Sequence, residues 1–347
     1  MRGIRMTKHL MHIAAPAGLF VALWLVWHEN PRAVLAVLRG GGAGLLLAAL
    51  VHVLDMLSNA CAWRTLFVDA YKLRRVVMLQ LVWIRESVNS MLPVARVGGD
   101  IVAFRLQLRR GVKPRVAAAS LIVDTQLTLI GQMVFAMIGI AYLFSRTESG
   151  TLRLAGELAW GVVALAPAIV LFALVQQANP FRRVTSVLNR MTSGKFARLL
   201  SPSAHIDESI KRIWRHRAVV LHYVFLWQPL HCAAVSLEIW LALYFLGSRV
   251  SFVEAVVIES LIQALSSAAF FVPGALGVQE SGFLVIGGAL SLDPATCLAL
   301  AGARRIRDLF IFMPGLLAWQ ATESRWRLSH ITTRCSHVRR ARRRGPE

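Results

Sequence analysis

The sequence is poor in charge, and its cysteines do not follow any disulfide or zinc pattern. Charged residues make up 16% of its 347 positions, against about 25% in ordinary soluble domains. Cys61, Cys232, Cys297 and Cys335 show no C-x-x-C or zinc-finger spacing, and three of them lie in apolar segments. Buried thiols explain that distribution best. A soluble enzyme domain, a disordered chain and a disulfide-rich scaffold are therefore poor fits to this sequence.

Nucleotide-binding and metal-binding motifs are also missing. The sequence has no G-x-x-x-x-G-K-[ST] loop, so we do not expect the chain itself to hydrolyse ATP. It has no H-E-x-x-H or other metal spacing, and the glycine run at 40–44 lacks the preceding strand of a dinucleotide fingerprint. We therefore expect no catalytic residues, no metal site and no cofactor.

Apolar residues and positive charge are what the sequence has in excess. Apolar residues make up 56% of the chain, and 39 Lys and Arg face 18 Asp and Glu, a net charge of +21. A membrane-spanning helix needs roughly 20 mostly apolar residues. Such runs occur at 11–27, 44–63, 76–92, 115–144, 156–176, 218–246, 250–272 and 294–321. The sequence predicts an all-α integral membrane protein, a polytopic helical bundle with one membrane domain at 1–321 and a basic tail at 322–347.

The basic residues predict the topology, because Lys and Arg concentrate in cytoplasmic loops. They cluster at 64–75, 109–115, 177–217 and 325–344. If all four clusters are cytosolic, 76–110 enters and returns on that side, whereas 250–291 does so from the opposite side. We take the first run as an uncleaved span, which places both termini in the cytosol. No nucleic-acid partner is needed to explain the arginines.

The insert at 177–217 mixes basic and apolar residues, a pattern typical of amphipathic helices on an anionic leaflet. We therefore expect this cytosolic insert to contact the inner leaflet.

Both returning segments are broken by proline and glycine, at Pro93–Gly99 and at Pro273–Gly277. Backbone breaks at membrane depth are tolerated only where protein or a watery cavity surrounds them. We predict two helical hairpins, re-entrant or spanning, that enter from opposite faces.

An offset of 180 residues relates the two hairpins. It places Pro93 on Pro273, Asp100 on Glu280, and Asp124 on Arg304, while the apolar segments follow the same shift. Repeat halves at about 44–144 and 224–321 with opposite orientation form a pseudo-inverted repeat. Secondary transporters commonly have this architecture, with their binding sites near the midplane.

Charged residues within the apolar segments are the main functional candidates, because a charge at the bilayer centre costs about 2.5–3.5 kcal/mol. Structural pairing or snorkelling and a role in a polar path both stay open for each. Asp55 and Glu238 have no evident neighbour, and Arg304 is placed to pair with Asp308 four residues on. Three arginines in one segment exceed what one aspartate neutralises, which favours a phosphate ligand.

The candidate head-group site combines these charges with the hairpin breaks, where glycines and helix starts suit an anion. A tight turn packed against its symmetry mate is the alternative for the breaks. Lone histidines such as His52 and His231 are taken as structural. The candidate residues are Arg85, Glu86, Asn89, Pro93, Gly98, Gly99, Asp100, Asp124, Pro273, Gly274, Gly277, Glu280, Arg304, Arg305, Arg307 and Asp308.

The stretch WIRESVNSMLPVARVGGD at 83–100 resembles the flippase-like membrane domain of lysylphosphatidylglycerol synthases. PGALGVQE at 273–280 resembles that family's second motif, and Arg304-Arg305 its following arginine helix. The resemblance covers about 44–321. RESVNS at 85–90 and AWQ at 318–320 are similar to the stand-alone branch associated with hopanoid biosynthesis.

The resemblance implies that the protein moves or handles a lipid, a phospholipid or a hopanoid, at the cytoplasmic membrane. No soluble aminoacyl-transfer domain follows residue 321, so we do not expect an enzyme. A non-transporting accessory protein that binds a lipid intermediate or scaffolds biosynthetic enzymes is the first alternative. A membrane-embedded lipid-modifying enzyme using Glu86, Asp100 and Glu280 is the second.

Overall fold

The computed structural model describes residues 31–68, 73–92, 98–145, 197–269 and 272–343, together with Trp24, Trp27 and Gly156. At 197–205, Pro273 and 325–343 it describes the backbone alone. The predicted runs 11–27 and 156–176 therefore lie almost wholly outside the described residues. So do Pro93, the first part of the insert at 177–196, and the chain end at 344–347.

The first half of the chain forms four described helices. They are α1 (Pro31–Thr65), α2 (Arg75–Met91), α3 (Gly98–Arg109) and α4 (Pro114–Phe144). Helix α1 is kinked within its glycine run, where Gly42 has φ 46° and ψ −136°. The run interrupts the helix geometry but does not end the helix.

The second half begins with α5 (Ala197–Arg215) and α6 (Arg217–Phe245), which contains a π-helical turn at Tyr223–Trp227. Helix α7 (Phe252–Ala268) then leads through a 3₁₀ turn at Pro273–Ala275 to α8 (Val278–Ala289) and α9 (Pro294–Arg343). The described residues contain no strand.

Helices α1, α4 and α6 are long and apolar enough to cross a membrane. The prediction of an all-α membrane protein is confirmed. Helices α2 and α7 have 17 residues each, which gives about 26 Å at about 1.5 Å per residue. That is short of a hydrocarbon core of about 30 Å. Whether these arms are re-entrant stays a prediction.

The two broken hairpins are present, and their arms match in length. Helix α2 packs against α3, and α7 packs against α8. The first arms have 17 residues and the second arms have 12 in both hairpins. The breaks fall between Met91 and Gly98 and between Ala268 and Val278, at the proline-glycine segments that the sequence indicates.

The second arms also end in the same way. The N–H of Val112 donates to the carbonyl of Gln107 at 3.2 Å, and the N–H of Leu292 donates to that of Gly287 at 2.9 Å. Gly111 and Ser291, one residue earlier, both have positive φ. These are two Schellman motifs, separated by the offset of 180 residues found in the sequence.

Packing between the halves is reciprocal. Helix α1 packs against α6, α4 of the first half packs against α7 of the second, and α9 of the second packs against α2 of the first. Exchanged contacts of this kind are the mark of a two-fold relation. These contacts agree with the predicted repeat, although α1 packs extensively against α9 whereas α6 barely contacts α4. The pseudo-two-fold relation and the opposite orientation of the halves in the membrane stay predictions.

Helices α5 and α9 differ from the expected insert and tail. Ile206, Ile210, Ile213 and Trp214 of α5 pack into the helical core, and Trp214 Nε1 donates to Gln126 Oε1 of α4 at 3.1 Å. The apolar face of this part of the insert therefore contacts protein. Helix α9 has 50 residues and crosses position 321 without a break.

Candidate functional site

A buried ion pair joins the first hairpin to α4. Arg85 Nη1 of α2 lies 2.6 Å from Asp124 Oδ2, and the Tyr223 hydroxyl donates to Asp124 Oδ1 at 2.9 Å. The Arg85 guanidinium also stacks over the Trp63 ring, 4.8 Å from its centroid. Asp124 lies ten residues beyond Pro114, about 15 Å along α4. Half the thickness of the hydrocarbon core is about 15 Å.

The second half contains a comparable pair with the charges exchanged, although its arm residue, Glu259, lies six positions before Leu265, the residue that the 180-residue offset places on Arg85. Arg304 Nη2 of α9 lies 2.5 Å from Glu259 Oε1 of α7. Arg304 lies ten residues beyond Pro294, as Asp124 does beyond Pro114. In each half, the first arm of the hairpin therefore forms an ion pair with the long helix that follows it. The acid is on the long helix in one half and on the arm in the other.

The first hairpin is closed by a close approach between its arms. The Asn89 side chain of α2 accepts a 2.8 Å hydrogen bond from the N–H of Gly99, at the start of α3. A Cβ at Gly99 would collide with the Arg85 carbonyl and with Asn89, so this position requires glycine. Asp100 follows, with Oδ1 4.0 Å from Arg85 Nε. The Asn89 side chain therefore binds an N–H at the start of α3 that the sequence had suggested for an anionic ligand.

The second hairpin is held by Arg305. Its guanidinium lies 2.9 Å from Glu280 Oε1 and donates to the carbonyl of Gly274 at 2.7 Å. Gly274, Ala275 and Gly277 all have positive φ, so the backbone turns through left-handed conformations at this break. An arginine from α9 thus binds the backbone of the turn and the first acid of α8 together.

A third cluster lies where α1, α6 and α9 meet. Arg307 Nη1 lies 2.5 Å from Glu238 Oε1, and Arg307 Nη2 lies 2.5 Å from Asp308 Oδ1. His52 Nδ1 donates to the other oxygen of Glu238 at 2.9 Å. His52, Glu238, Arg307 and Asp308 are all buried, so these charges interact with little screening by water.

The same network continues from α1 to α2. His231 Nδ1 of α6 donates to Asp55 Oδ1 of α1. The Asn59 amide lies 3.4 Å from Asp55 Oδ1 and 3.4 Å from Glu86 Oε1. Across the α1–α6 contact, a histidine of each helix therefore bonds to an acid of the other.

A small cavity lies beside this network. Glu238, Arg304 and Arg307 line it together with small residues of α1 such as Ala48 and Ala49. It connects the second ion pair to the third cluster.

Most of the sequence candidates lie in these clusters. The described side chains that make the contacts above include Arg85, Glu86, Asn89, Asp100, Asp124, Glu280, Arg304, Arg305, Arg307 and Asp308. Gly98, Gly99, Gly274 and Gly277 lie at the hairpin breaks, as does the backbone of Pro273, whereas Pro93 is outside the described residues.

The pairing differs from the sequence expectation in two ways. Arg304 pairs with Glu259 instead of Asp308, and Asp308 pairs with Arg307. The three arginines are not left to one aspartate, because α6, α7 and α8 supply Glu238, Glu259 and Glu280. Carboxylates therefore balance all three arginines, and their charge alone does not call for a phosphate.

Several residues of these clusters are missing from the site that the sequence predicts. They are His52, Asp55, Asn59, Tyr223, His231, Glu238 and Glu259. Their polarity in apolar helices was the available signal. Asp55 and Glu238 lacked an evident neighbour only because their partners lie on other helices.

A family model described as "Lysylphosphatidylglycerol synthase TM region" matches residues 12–315. Searches of the curated proteins and of the solved structures give no match. The family match covers most of the chain, including both hairpins and every buried ion pair described above. The chain therefore belongs to the lysylphosphatidylglycerol synthase TM region family.

Proposed function

We propose that the protein translocates or handles a membrane lipid, and that the lipid head group follows the buried ion pairs between the hairpins and the long helices. The observation that carries the proposal is the presence of two buried ion pairs, Arg85–Asp124 and Glu259–Arg304, whose long-helix members each lie about 15 Å along their helix. Charges at this depth are expensive, which makes them functional candidates. The family is associated with membrane lipid, which supports the same proposal.

The ion pairs give the path a mechanism. Every arginine in it is already bound to a carboxylate, so a head group enters by exchanging partners with one pair. Its charged or hydroxyl groups then replace the lost contacts, while its tails stay in the bilayer. A buried charge left alone is costly, so each pair re-forms once the head group has passed. Movement by such exchange runs downhill or is coupled to an ion, and needs no ATPase site.

The proposed lipid is a hopanoid or a phospholipid, and the proposed setting is the bacterial inner membrane with both termini in the cytosol. The RESVNS and AWQ motifs described above support the link to hopanoids. No aminoacyl transfer is part of this proposal, because the family match concerns the membrane region.

Reconstitution into vesicles tests the proposal. Purified protein is incorporated into liposomes that contain labelled phospholipids or a labelled hopanoid, and transbilayer movement is followed. We expect faster movement of at least one lipid than in protein-free vesicles. Arg304→Gln and Asp124→Asn should each slow it at least tenfold, because each leaves a buried partner unpaired. Arg105→Gln is the matched control, since the Arg105 side chain is 55% exposed. Transbilayer rates equal to those of protein-free vesicles for every lipid would contradict the proposal.

An accessory role is the second candidate, and the length of α9 favours it. Its 50 residues extend about 75 Å, far more than a membrane crossing needs, and its last part is rich in arginine. This extension suits capture of biosynthetic enzymes. Truncation after residue 324 should then abolish capture of those enzymes from membranes, whereas Arg304→Gln should not. The truncation leaves the packed α5 intact.

A further inference from the structure

We propose that His52, Asp55 and Glu86 form a binding site for one divalent transition-metal ion, of the Zn²⁺ or Mn²⁺ type. One ligand atom from each residue lies within 4.8 Å of the other two, in a cluster built from α1 and α2. His52 and Asp55 are three residues apart on α1 and so share a helix face. Glu86 reaches them from the neighbouring helix.

The orientation of His52 carries the proposal furthest. Its Nδ1 lies 2.9 Å from Glu238 Oε2 and 3.4 Å from Arg307 Nη1. Because a carboxylate only accepts hydrogen bonds, we assign the ring proton to Nδ1, which leaves a lone pair on Nε2 in the neutral ring. That lone pair lies 3.9 Å from Asp55 Oδ2 and has no hydrogen-bond donor among the described residues. His52 is only 7% exposed, so bulk water does not supply one. A lone pair held beside two carboxylates, away from water, is the arrangement that a cation stabilises.

The surroundings match those of known metal ligands. A ligating histidine usually donates its other ring N–H to a carboxylate, which fixes the tautomer and makes the ligand more basic. Glu238 does this for His52. Asp55 is bound by His231, and the Asn59 amide lies within 3.4 Å of both carboxylates. Each proposed ligand is therefore positioned by a further residue.

Local charge also requires a cation. The connected acids Asp55, Glu86, Glu238 and Asp308 face Arg307, and Asp308 also lies 4.0 Å from Arg305, which is itself paired with Glu280. With neutral imidazoles the group carries an excess of negative charge in a low-dielectric region. A divalent ion bound to Asp55 and Glu86 compensates most of it. An imidazole with carboxylates suits Zn²⁺, Fe²⁺ or Mn²⁺, whereas Mg²⁺ and Ca²⁺ prefer oxygen ligands alone.

The distances permit one ion with little movement. Zn²⁺ binds nitrogen and oxygen ligands at about 2.0–2.2 Å, which places two tetrahedral ligands about 3.4 Å apart. The 3.9 Å between His52 Nε2 and Asp55 Oδ2 closes to this value with small side-chain rotations. Glu86 is the half-buried member, so it marks the side from which an ion and a completing water enter.

Metal content is the direct test, and it needs no lipid movement. The full-length protein is purified in detergent, stripped with a chelator, incubated with Zn²⁺ or Mn²⁺, and desalted before elemental analysis. We expect one ion per chain for at least one of the two metals. In a competition titration with a chromophoric chelator, Glu86→Gln and His52→Gln should each weaken binding at least tenfold. Glu238→Gln should weaken it 10- to 100-fold, as for other residues that orient a ligand.

Glu254→Gln is the matched control, because Glu254 caps the start of α7 and is far from the cluster in the sequence. The metal affinity of this variant should equal that of the wild type. Size-exclusion profiles identify any variant that fails to fold. If a variant does not fold, metal retention by the wild type still tests the proposal. The proposal is overturned if the wild type retains neither Zn²⁺ nor Mn²⁺, because protons alone would then balance the negative charge of the cluster. Equal affinity in well-folded Glu86→Gln also overturns it.

Discussion

Among individual residues, burial decides which ion pairs matter to stability. The carboxylate of Glu259 and the guanidinium of Arg304 are both nearly inaccessible and 2.5 Å apart. Arg105 forms a similar pair with Glu323 at 3.1 Å, but its side chain is largely exposed. Water and salt screen the exposed pair. The two pairs are therefore expected to respond very differently to the loss of one partner.

We predict that Glu259→Leu and Arg304→Met each lower the free energy of unfolding by about 3–5 kcal/mol, because each leaves one buried charge unpaired. The double variant should recover most of that loss, since both charges are then gone. Arg105→Met should cost at most about 1 kcal/mol. Denaturant unfolding of the purified protein in one detergent measures all four variants.

Additive losses in the double variant would contradict this account, because they would mean that the two side chains act through separate neighbours. Arg304 also lies over the Phe283 ring, 5.7 Å from its centroid. A modest residual loss in the double variant is attributed to that contact.

The residue scale also shows what a sequence does not disclose. The list of charges in apolar segments needed only composition and hydropathy, and most of those charges belong to the network. Their partners were not predictable. The hydrogen bond between His52 and Glu238 joins residues 186 positions apart, and only the packing of α1 against α6 brings them together. Pairing by helical spacing, as for Arg304 and Asp308, fails when a closer partner comes from another helix.

At the level of elements, the two Schellman motifs differ in one residue that has a clear physical consequence. Gly111 and Ser291 occupy equivalent positions, with φ 81° and φ 61°. Left-handed backbone costs a residue with a Cβ roughly 1 kcal/mol, and glycine almost nothing. The first motif therefore has the residue that its conformation favours, and the second does not.

We predict that Ser291→Gly raises the free energy of unfolding by about 0.5–1 kcal/mol, and that Gly111→Ser lowers it by a similar amount. Both positions are exposed, so neither change disturbs packing. Unfolding midpoints in a common detergent give the comparison. A loss of stability in Ser291→Gly would show that the Ser291 side chain makes a contact worth more than the backbone strain.

Element boundaries were predictable where proline and glycine set them. Both hairpin breaks and the starts of α4 and α9 at Pro114 and Pro294 follow directly from these residues, because proline is favoured in the first helical turn. The length of α9 was not predictable from hydropathy, since the helix continues from apolar into basic sequence. Nor was the packing of α5, because an amphipathic pattern does not say whether protein or lipid covers its apolar face.

At the scale of the whole molecule, the offset of 180 residues turns out to describe three levels of structure. It relates the hairpins, the Schellman motifs and the positions of Asp124 and Arg304. Because α4 packs against α7 of the second half and α9 packs against α2 of the first, each half is incomplete without the other. One consequence is structural: a motion that separates the halves changes the packing of α4 and of α9 together.

The opposite orientation of the halves is open to a direct test at two equivalent loops. Lys113 lies between α3 and α4, and Asp293 lies between α8 and α9, both exposed and one residue before a helix-starting proline. The first loop is flanked by Arg109, Arg110 and Arg115, whereas 290–293 has no basic residue. Because basic loops stay in the cytosol, these two loops are predicted to lie on opposite sides of the membrane.

With the four native cysteines replaced by serine, Lys113→Cys and Asp293→Cys each provide one reporter thiol. A membrane-impermeant maleimide added to cells with a permeabilised outer envelope should label Asp293→Cys and leave Lys113→Cys unmodified. Both should react once the inner membrane is opened, which controls for thiol accessibility. Labelling of both from outside, or of neither, would mean that the two halves share one orientation. The pseudo-two-fold axis would then stand along the membrane normal, and the hairpins would enter from the same face.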